Sequence, residues 1–282
     1  MTDCILVADS GSTKTDWIAI SRENGTLEFK TAGINPVRDS QNAISLVLRD
    51  GLVPFFPDTW RCTGVYFYGA GCIPPFSGIV ERCLGQVFPQ ASVSVNTDML
   101  GAARALCGTN PGIACIIGTG SNSCLYDGDK IVANVPPLGY ILGDEGSGAV
   151  LGRTLVGLLL KGVLPSSLRD KFMEEYGLTT ELVIDNVYRQ PMPNRFLASL
   201  APFIAEHREE HGIQEMLVQS FRLFFTRNVK MYGHPEMPVN FVGSIAHVFL
   251  EELKRAASLE GLKMGKILRS PIAEIAAFHG EV

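Results

Sequence analysis

The chain has 282 residues, of which 46% are hydrophobic and 19% are charged, and its formal net charge is −5. This length suits two domains of ordinary size, and the hydrophobic content gives each of them enough side chains for a core. The acidic balance excludes a basic nucleic-acid surface. The longest apolar stretch, near residues 155–160, is far too short to span a membrane. We therefore expect neither a nucleic-acid partner nor a membrane partner.

Seven cysteines occur without any C-x-x-C pair, and most of them fall within apolar runs. An odd number of unpaired cysteines indicates neither a disulfide framework nor a metal cluster. The first residues, MTDC, enter an apolar strand without the basic region of a signal peptide. The sequence therefore predicts a protein of the reducing cytoplasm.

The stretch DSGSTKTD, residues 9–16, separates two short apolar runs that read as strands. This pattern predicts a β-hairpin. Its tip offers backbone N–H groups, hydroxyls and the Lys14 ammonium to an anion, and Gly11 allows a ligand close to the backbone. Asp9, at the end of the first strand, is placed to hold a hydrated Mg²⁺ facing that anion. The same residue types also favour ordinary turns, so the stretch alone leaves both interpretations open.

The first part of the chain predicts a strand meander followed by alternating strands and helices. Strands are expected at residues 4–8, 17–20, 26–31, 63–68 and 91–95, and helices at 39–49, 77–88 and 99–107. Such an order is typical of an α/β domain with a mixed sheet. The glycine- and proline-bearing loop at residues 107–112 breaks the pattern. We place the domain boundary there and expect domains at 1–108 and 109–282.

The second part begins with the same plan as the first. An apolar strand at residues 113–117, a small hydroxyl-rich turn, a strand at 124–126, an Asp127-Gly128 turn and a strand at 130–134 repeat the opening hairpin. Helices are then expected at 149–161, 168–176, 180–188, 195–211 and 213–225, and again at 245–257 and 272–278. The remaining strands are expected at 239–242 and 262–267.

Three further short stretches, each beside a predicted strand or helix end, are candidate ligand-binding sites in addition to the hairpin. GTGS at residues 118–121 again follows an apolar strand. GDEGSG at 143–148 opens the buried helix predicted at residues 149–161. The free N–H groups and the dipole of this helix are expected to face an anion or a polar ligand. VGSIA at 242–246 is a strand-to-helix turn whose glycine lets a flat ring lie against the backbone. Each stretch is a weak signal by itself, and their order along one chain makes the set specific.

Asp98 is the candidate catalytic residue. It lies just past a predicted strand and at or near the start of the next helix, where catalytic groups collect in α/β folds. The competing interpretation is a plain helix N-cap, a position that Thr97 or Asp98 would fill equally well.

The stretches at residues 9–16, 96–98, 117–122, 143–147 and 242–246 together resemble the N-acetylglucosamine kinase branch of the BadF/BadG/BcrA/BcrD ATPase family. This family lies within the sugar kinase/Hsp70/actin ATPase superfamily. The resemblance runs over nearly the full chain and is weakest between residues 164 and 240. It implies an α/β fold with two ribonuclease H-like (actin-type ATPase) domains, whose mixed five-stranded sheets flank a central cleft. It also implies a last helix, within 270–282, that packs back on the first domain.

The resemblance implies ATP and Mg²⁺ as cofactors, an amino sugar as the small-molecule partner and a possible homodimer. Asp98 would take the proton from the attacking sugar hydroxyl, the 6-hydroxyl, and Asp9 would hold the metal. The residues implied for ATP and its phosphates are Ser10, Gly11, Ser12, Thr13, Lys14, Gly118, Thr119, Gly120, Gly243 and Ser244. Those implied for the sugar are Asn35, Ser121, Asn122, Gly139 and Asp144.

Two features of the resemblance leave alternatives for the sugar site. Asp144 could instead be the N-cap of the buried helix. Leu138 stands where the vertebrate-type enzyme has a tryptophan, so the resemblance leaves the sugar pocket and the identity of the amino sugar open. N-acetylglucosamine is the expected substrate, and N-acetylmuramic acid and glucosamine are the alternatives.

Two other functions share this fold. An ATPase activator of an acyl-CoA reductase or dehydratase system carries an iron–sulfur cluster between subunits, and the cysteines here show no paired motif for one. A sugar-sensing regulator would carry a helix-turn-helix domain, for which there is no room before Cys4. We therefore expect an ATP-dependent sugar kinase.

Overall fold

The computed structural model describes residues 1–11 and 13–280. The chain divides into two compact units. The first comprises Met1–Asn110, Asp127–Ile131 and Ser270–Val282, and the second comprises Pro111–Tyr126 and Val132–Arg269.

The first unit is built on a five-stranded sheet with the strand order β3-β2-β1-β4-β5. The strands are β1 (Thr2–Ser10), β2 (Lys14–Ser21), β3 (Gly25–Ala32), β4 (Trp60–Gly69) and β5 (Ser92–Thr97). β1, β2 and β3 form an antiparallel meander, while β4 runs parallel to both β1 and β5. This sheet is mixed because a hairpin meander is joined to helix-connected parallel strands.

The second unit repeats that plan with the strand order β10-β9-β6-β7-β8. Its strands are β6 (Gly112–Ile117), β7 (Ser121–Tyr126), β8 (Ile131–Ala133), β9 (Val239–Val242) and β10 (Met264–Leu268). β6 and β7 are antiparallel, and β9 runs parallel to β6 and β10. The predicted α/β class with two mixed five-stranded sheets is confirmed.

The helices of the described residues flank these sheets. In chain order they are α1 (Gln41–Gly51), α2 (Ser77–Val87), α3 (Asp98–Cys107), α4 (Gly139–Leu142), α5 (Gly148–Leu160), α6 (Ser166–Tyr176), α7 (Thr180–Tyr188), α8 (Pro193–Ala198), α9 (Ala201–Glu206), α10 (His211–Arg227), α11 (Ser244–Val248), α12 (Leu250–Leu259) and α13 (Ile272–Gly280). Short 3₁₀ turns occupy Val53–Phe55 and Val229–Tyr232. None of the described helices is long and apolar enough to cross a membrane.

Two predicted helices are each broken in the structure. The helix expected at residues 195–211 is divided between α8 and α9, because Pro202 lacks an N–H group and starts a new helix. The helix expected at 245–257 is divided between α11 and α12 at Phe249, whose backbone leaves the helical region while its ring is fully buried. The four-residue helix α4 was not predicted, since so short a segment gives no periodic signal.

The core of the second unit lies around α5 and α10. The helix predicted at residues 213–225 lies within α10, and its side chains Leu217, Phe221 and Phe224 are fully buried. The backbones of α5 and α8 approach closely at Gly152, where a Cβ would lie 2.0 Å from the carbonyl oxygen of Leu197. All seven cysteines are free thiols, and six of them are buried as small core side chains.

Candidate functional site

The predicted hairpin at residues 9–16 is present as the β1–β2 connection. The N–H group of Gly11 donates to the carbonyl oxygen of Lys14 at 3.0 Å, which closes the turn. The register pairs Asp9 with Asp16 across the two strands. Ser12 lies outside the described residues.

Ser10 ties this hairpin to the loop that carries Asn35. Its fully buried hydroxyl donates to the carbonyl oxygen of Ile34 at 3.1 Å and accepts the Ile34 N–H at 3.0 Å. It also shares a hydrogen bond of 2.7 Å with the Thr15 hydroxyl. The predicted phosphate turn and the predicted sugar loop are therefore held together within the first unit by a residue whose hydroxyl already has protein partners.

Asp9 is the electrostatically strained residue of the hairpin. Burial, followed by the nearby charges of Asp98 and Asp16, raises its pKa to about 7 against the opposing effect of Lys14. No hydrogen bond from another described residue reaches its carboxylate. Lys14 donates instead to Asp16 at 2.6 Å. A carboxylate left without partners among like charges suits the binding of a cation.

Asp98 occupies the first turn of α3 and is not its cap. The N-cap is Thr97, whose Oγ1 accepts the N–H of Leu100 at 3.2 Å. Asp98 Oδ1 accepts the N–H of Met99 at 2.9 Å, and burial raises the pKa of the Asp98 carboxyl. The capping interpretation of Asp98 is wrong, and the structure leaves a carboxylate whose raised pKa suits a general base.

Asn35, the predicted sugar ligand of the first unit, lies against a glycine that the sequence analysis did not single out. Its Oδ1 accepts the N–H of Val37 at 3.1 Å. A Cβ at Gly71 would lie 2.3 Å from that oxygen, and Gly71 has a φ of +77°. The signal that could have identified this position is the Gly-Ala-Gly sequence at the end of the fourth strand.

The second hairpin, between β6 and β7, is bonded directly to the start of α5. The carbonyl oxygens of Gly118 and Thr119 accept the N–H groups of Gly148 and Ala149 at 2.8 and 3.1 Å. The expectation that free N–H groups of this helix face an anion is therefore wrong, because the hairpin already uses them. Among the described residues, the N–H groups of Thr119 and Gly120 have no acceptor, and these offer the anion site instead.

Asp144 is joined to the second hairpin and does not cap α5. The N-cap of α5 is Ser147, whose hydroxyl accepts the N–H of Val150 at 3.2 Å. Asp144 has a φ of +52°, and its Oδ1 accepts the N–H of Ser121 at 3.3 Å. A Cβ at Gly120 would lie 3.0 Å from its Oδ2. The capping alternative for Asp144 is therefore wrong.

The other sugar candidates of the second unit have different surroundings. Ser121 donates its hydroxyl to the carbonyl oxygen of Glu145 at 2.9 Å. Asn122 Oδ1 accepts hydrogen bonds from the Ser123 N–H and the Asn134 side chain, both at 2.9 Å. Gly139 lies exposed at the start of α4. The structure thus brings Ser121 and Asp144 together, while Asn122 is bonded to other residues.

Burial raises the pKa of Asp144 to about 6, with Glu145 adding to the effect and the Ser121 hydrogen bond opposing it. Because the folded protein then holds this proton more tightly than the unfolded chain, stability falls as the pH rises from about 4 to about 6. We expect Asp144→Asn to raise the melting temperature relative to wild type more at pH 8 than at pH 4. Thermal unfolding at both pH values measures this.

The matched control is Asp127→Asn, because backbone hydrogen bonds from Lys130 and Asp129 lower the pKa of Asp127. Its effect should have the opposite sign, with the larger loss of melting temperature at pH 8. Equal effects of Asp144→Asn at pH 4 and pH 8 would contradict the raised pKa.

The turn between β9 and α11 is built on Gly243. Its φ is +129°, its N–H donates to the carbonyl oxygen of Leu268 at 3.0 Å, and a Cβ there would lie 2.2 Å from the carbonyl oxygen of Ile117. Since Ile117 ends β6 just before the second hairpin, this close contact holds the predicted adenosine turn beside the predicted phosphate turn. Ser244 begins α11.

We expect Gly243→Ala to cost about 2–4 kcal/mol of stability, because backbone atoms must move to admit the methyl group. Gly261→Ala is the control, since Gly261 has a φ of +69° but open space around it, and about 1 kcal/mol is expected there. Denaturant unfolding of both variants measures the difference. Equal costs would show that φ alone, and not the contact with Ile117, requires glycine at position 243.

A cavity of about 730 Å³ lies in the second unit and is lined largely by α5 and α10. None of the predicted site residues lines it. The candidate site residues of each unit therefore lie on its own hairpin and neighbouring turns, and not in this cavity.

The described residues contain no group of three histidine, cysteine or acidic side chains that could by itself hold a metal ion. Mg²⁺ commonly keeps several waters and binds one or two carboxylates together with substrate phosphates. Asp9, a carboxylate without hydrogen-bond partners among the described residues, fits that mode of binding. The predicted metal ligand is thus compatible with a site completed by a nucleotide.

No family model and no curated protein matches the chain. Several solved structures match the chain. The chain is 48% identical to a candidate N-acetylglucosamine kinase from Porphyromonas gingivalis, over 98% of this chain and 99% of that one, with a TM-score of 0.94.

Two more distant structures show the fold alone. The chain is 19% identical to a candidate N-acetylglucosamine kinase from Chromobacterium violaceum, over 98% of each chain, with a TM-score of 0.75. It is 14% identical to a ROK family glucokinase from Streptomyces griseus solved with glucose and AMPPNP, over 98% of this chain and 96% of that one, with a TM-score of 0.61.

The two mixed five-stranded sheets have the fold of actin-like ATPase sugar kinases, and the 48% identical structure places the chain in the class of sugar kinases. The chain belongs to the family of N-acetylglucosamine kinase-like proteins.

Proposed function

We propose that the protein transfers the γ-phosphoryl group of ATP to the 6-hydroxyl of an N-acetylated amino sugar, most directly N-acetylglucosamine. The observation that carries this proposal is the 48% identity over nearly the whole of both chains to a candidate N-acetylglucosamine kinase. The raised pKa values of Asp9, the predicted metal ligand, and of Asp98, the predicted base, support it.

The first unit supplies the base. Asp98 accepts the proton of the sugar hydroxyl as its oxygen attacks the γ-phosphorus, and the bond from phosphorus to the bridging oxygen of ADP breaks in line. One oxygen of Asp98 is held by the Met99 N–H, so the carboxylate has a fixed orientation. Asp9 would hold Mg²⁺, which when bound neutralises charge on the phosphates. Thr13 and Lys14 belong to the same phosphate turn, and the Lys14 ammonium, which donates one hydrogen bond to Asp16, has further N–H donors for a phosphate.

The second unit supplies anion and sugar contacts. The free N–H groups of Thr119 and Gly120 would donate to phosphate oxygens. The Gly243–Ser244 turn would lie against adenosine. Asp144 would accept hydrogen bonds from sugar hydroxyls, because one of its oxygens has no hydrogen-bond partner among the described residues.

The test is ADP release with Mg·ATP against N-acetylglucosamine, N-acetylmuramic acid, glucosamine, N-acetylmannosamine, glucose and no sugar. We expect release with N-acetylglucosamine to exceed that with glucose at least about tenfold, since unpaired polar groups in a sugar site reject a ligand lacking the acetamide. Product analysis by NMR identifies the phosphorylated hydroxyl. If the enzyme prefers N-acetylmuramic acid or glucosamine, the proposed substrate is wrong, but the proposed kinase activity stands.

Slow ADP release that is indifferent to every sugar would contradict the proposal and favour an ATPase activator of an acyl-CoA reductase or dehydratase system. The burial of six cysteines in the two cores speaks against their use as exposed cluster ligands. The seven free thiols support a reducing compartment, and we propose the cytoplasm. A homodimer, implied by the resemblance, is tested by the mass of the protein in solution.

A further inference from the structure

A polar chain runs through the first unit behind Asp98. Arg104, near the end of α3, donates through Nη1 to the Tyr68 hydroxyl oxygen, and that hydroxyl lies 2.7 Å from Nε2 of His279 in α13. Tyr68 is fully buried, and His279 is 8% exposed. Three elements, β4, α3 and α13, therefore meet at one hydroxyl group.

The chemistry of Arg104 fixes the direction of its hydrogen bond to Tyr68, whereas the direction of the bond between Tyr68 and His279 depends on the imidazole tautomer. A guanidinium can only donate, so the Tyr68 oxygen accepts from Arg104, and the Tyr68 hydroxyl can in turn donate to His279. Burial, followed by the charge of Arg104, lowers the pKa of His279 to about 4. The imidazole is then neutral at pH 7, and its Nε2 can accept the Tyr68 hydrogen.

Tyr68 also sets the height of α3 above the sheet. A Cβ on Gly101 would lie 2.9 Å from the Cβ and Cγ atoms of Tyr68, so the backbone of α3 rests directly on this side chain. In the sheet, Tyr68 pairs with Asp9 on one side and with Asn96 on the other. It is thus adjacent to the proposed metal ligand and beneath the helix that begins with Asp98.

We propose that Tyr68, held between Arg104 and His279, is a positioning residue that fixes α3 and thereby places Asp98 for proton transfer; this inference rests on the proposed kinase function. A general base must lie within about 2.6–3.2 Å of the proton that it accepts. A displacement of about 1 Å can cost about a hundredfold in rate. The C-terminal helix α13 therefore contributes to catalysis through His279 without touching either substrate.

The test compares Tyr68→Phe with Tyr66→Phe. Tyr66 lies on the same strand, and its ring stacks on His279 at 3.8 Å, but its hydroxyl makes no hydrogen bond with a described residue. We expect Tyr68→Phe to lower kcat about tenfold with the KM for ATP and for sugar unchanged, and Tyr66→Phe to remain within twofold of wild type. His279→Ala should behave like Tyr68→Phe, and His279→Gln, which keeps an acceptor, should recover part of the rate.

A double-mutant cycle separates positioning from general loosening. In the Asp98→Asn background, Tyr68→Phe should change the residual rate less than twofold, because the group that it positions is gone. An equal tenfold loss in both backgrounds would overturn the inference, as would a kcat for Tyr68→Phe within twofold of wild type.

Amide hydrogen exchange on the free protein gives an answer that does not depend on activity. We expect Tyr68→Phe to accelerate exchange of the Met99 and Leu100 N–H groups, which are bonded to Asp98 and Thr97. Unchanged exchange at both amides would overturn the inference. Failure of the proposed function would appear differently, as a wild-type protein that phosphorylates no sugar, and the exchange result would still decide whether Tyr68 holds α3.

Discussion

Asp98→Asn is expected to lower kcat by about 10²–10⁴-fold while the affinity for ATP stays within twofold of wild type. The amide keeps an oxygen that can accept the Met99 N–H, so the start of α3 is preserved, but it cannot accept a proton from the sugar hydroxyl. Coupled ADP release gives kcat, and calorimetric titration with a non-hydrolysable ATP analogue gives the affinity.

The matched control for that variant is Asp50→Asn. Asp50 lies in the same unit, is exposed and pairs with Arg49 at the surface, so its loss should change kcat less than twofold. Thr97→Ala separates capping from catalysis, because it removes the cap of α3 and should cost about 1 kcal/mol of stability with a smaller effect on kcat. Turnover by Asp98→Asn at a tenth of the wild-type rate or more would show that another group takes the proton.

Asp9→Asn is expected to abolish turnover and to stabilise the nucleotide-free protein. Burial and the neighbouring Asp98 and Asp16 carboxylates disfavour the charge on Asp9 in the free protein. An amide of the same size removes that repulsion, so the melting temperature should rise by a few degrees. Because an amide does not replace a carboxylate as a Mg²⁺ ligand, kcat/KM for Mg·ATP should fall at least about a hundredfold.

Asp3→Asn, on the same strand, is the control for Asp9→Asn. Asp3 is exposed and pairs with Arg61, so neither melting temperature nor activity should change appreciably. The melting temperature and the activity of Asp9→Asn test the same hypothesis, that Asp9 is a functional carboxylate. A carboxylate that lowers the stability of the protein is expected where function requires it. A variant that is less stable than wild type, or one that remains active, would contradict the assignment of Asp9 to the metal.

The hairpins and their order along the chain were predictable because their signals are local. β-Branched and apolar runs interrupted by glycine and hydroxyl residues occur at both β1–β2 and β6–β7, and these predict strands and turns without any knowledge of distant contacts. The same holds for the Gly243 turn, which lies between a strand and a helix as expected.

Two helices that were predicted as continuous, at residues 195–211 and 245–257, are each broken in the structure. At Phe249 an apolar residue continues the helical spacing in sequence, but the fully buried ring takes a backbone conformation outside the helix. At Pro202 the sequence did contain the signal, because a proline cannot continue a helix in its interior. The break at Phe249 could only be seen in the tertiary structure, whereas the break at Pro202 could have been predicted from the sequence.

The sequence by itself determined the fold class, the two glycine-rich hairpins and the identity of the candidate acidic residues, because each depends on residue type and short spacing. Only the tertiary structure decided the partners of those residues. Thr97 rather than Asp98 caps α3, and the second hairpin uses the first N–H groups of α5. Tyr68 bonds to His279, a residue 211 positions away. Hydrogen-bond partners so distant along the chain leave no pattern in a single sequence, since their proximity is a consequence of packing.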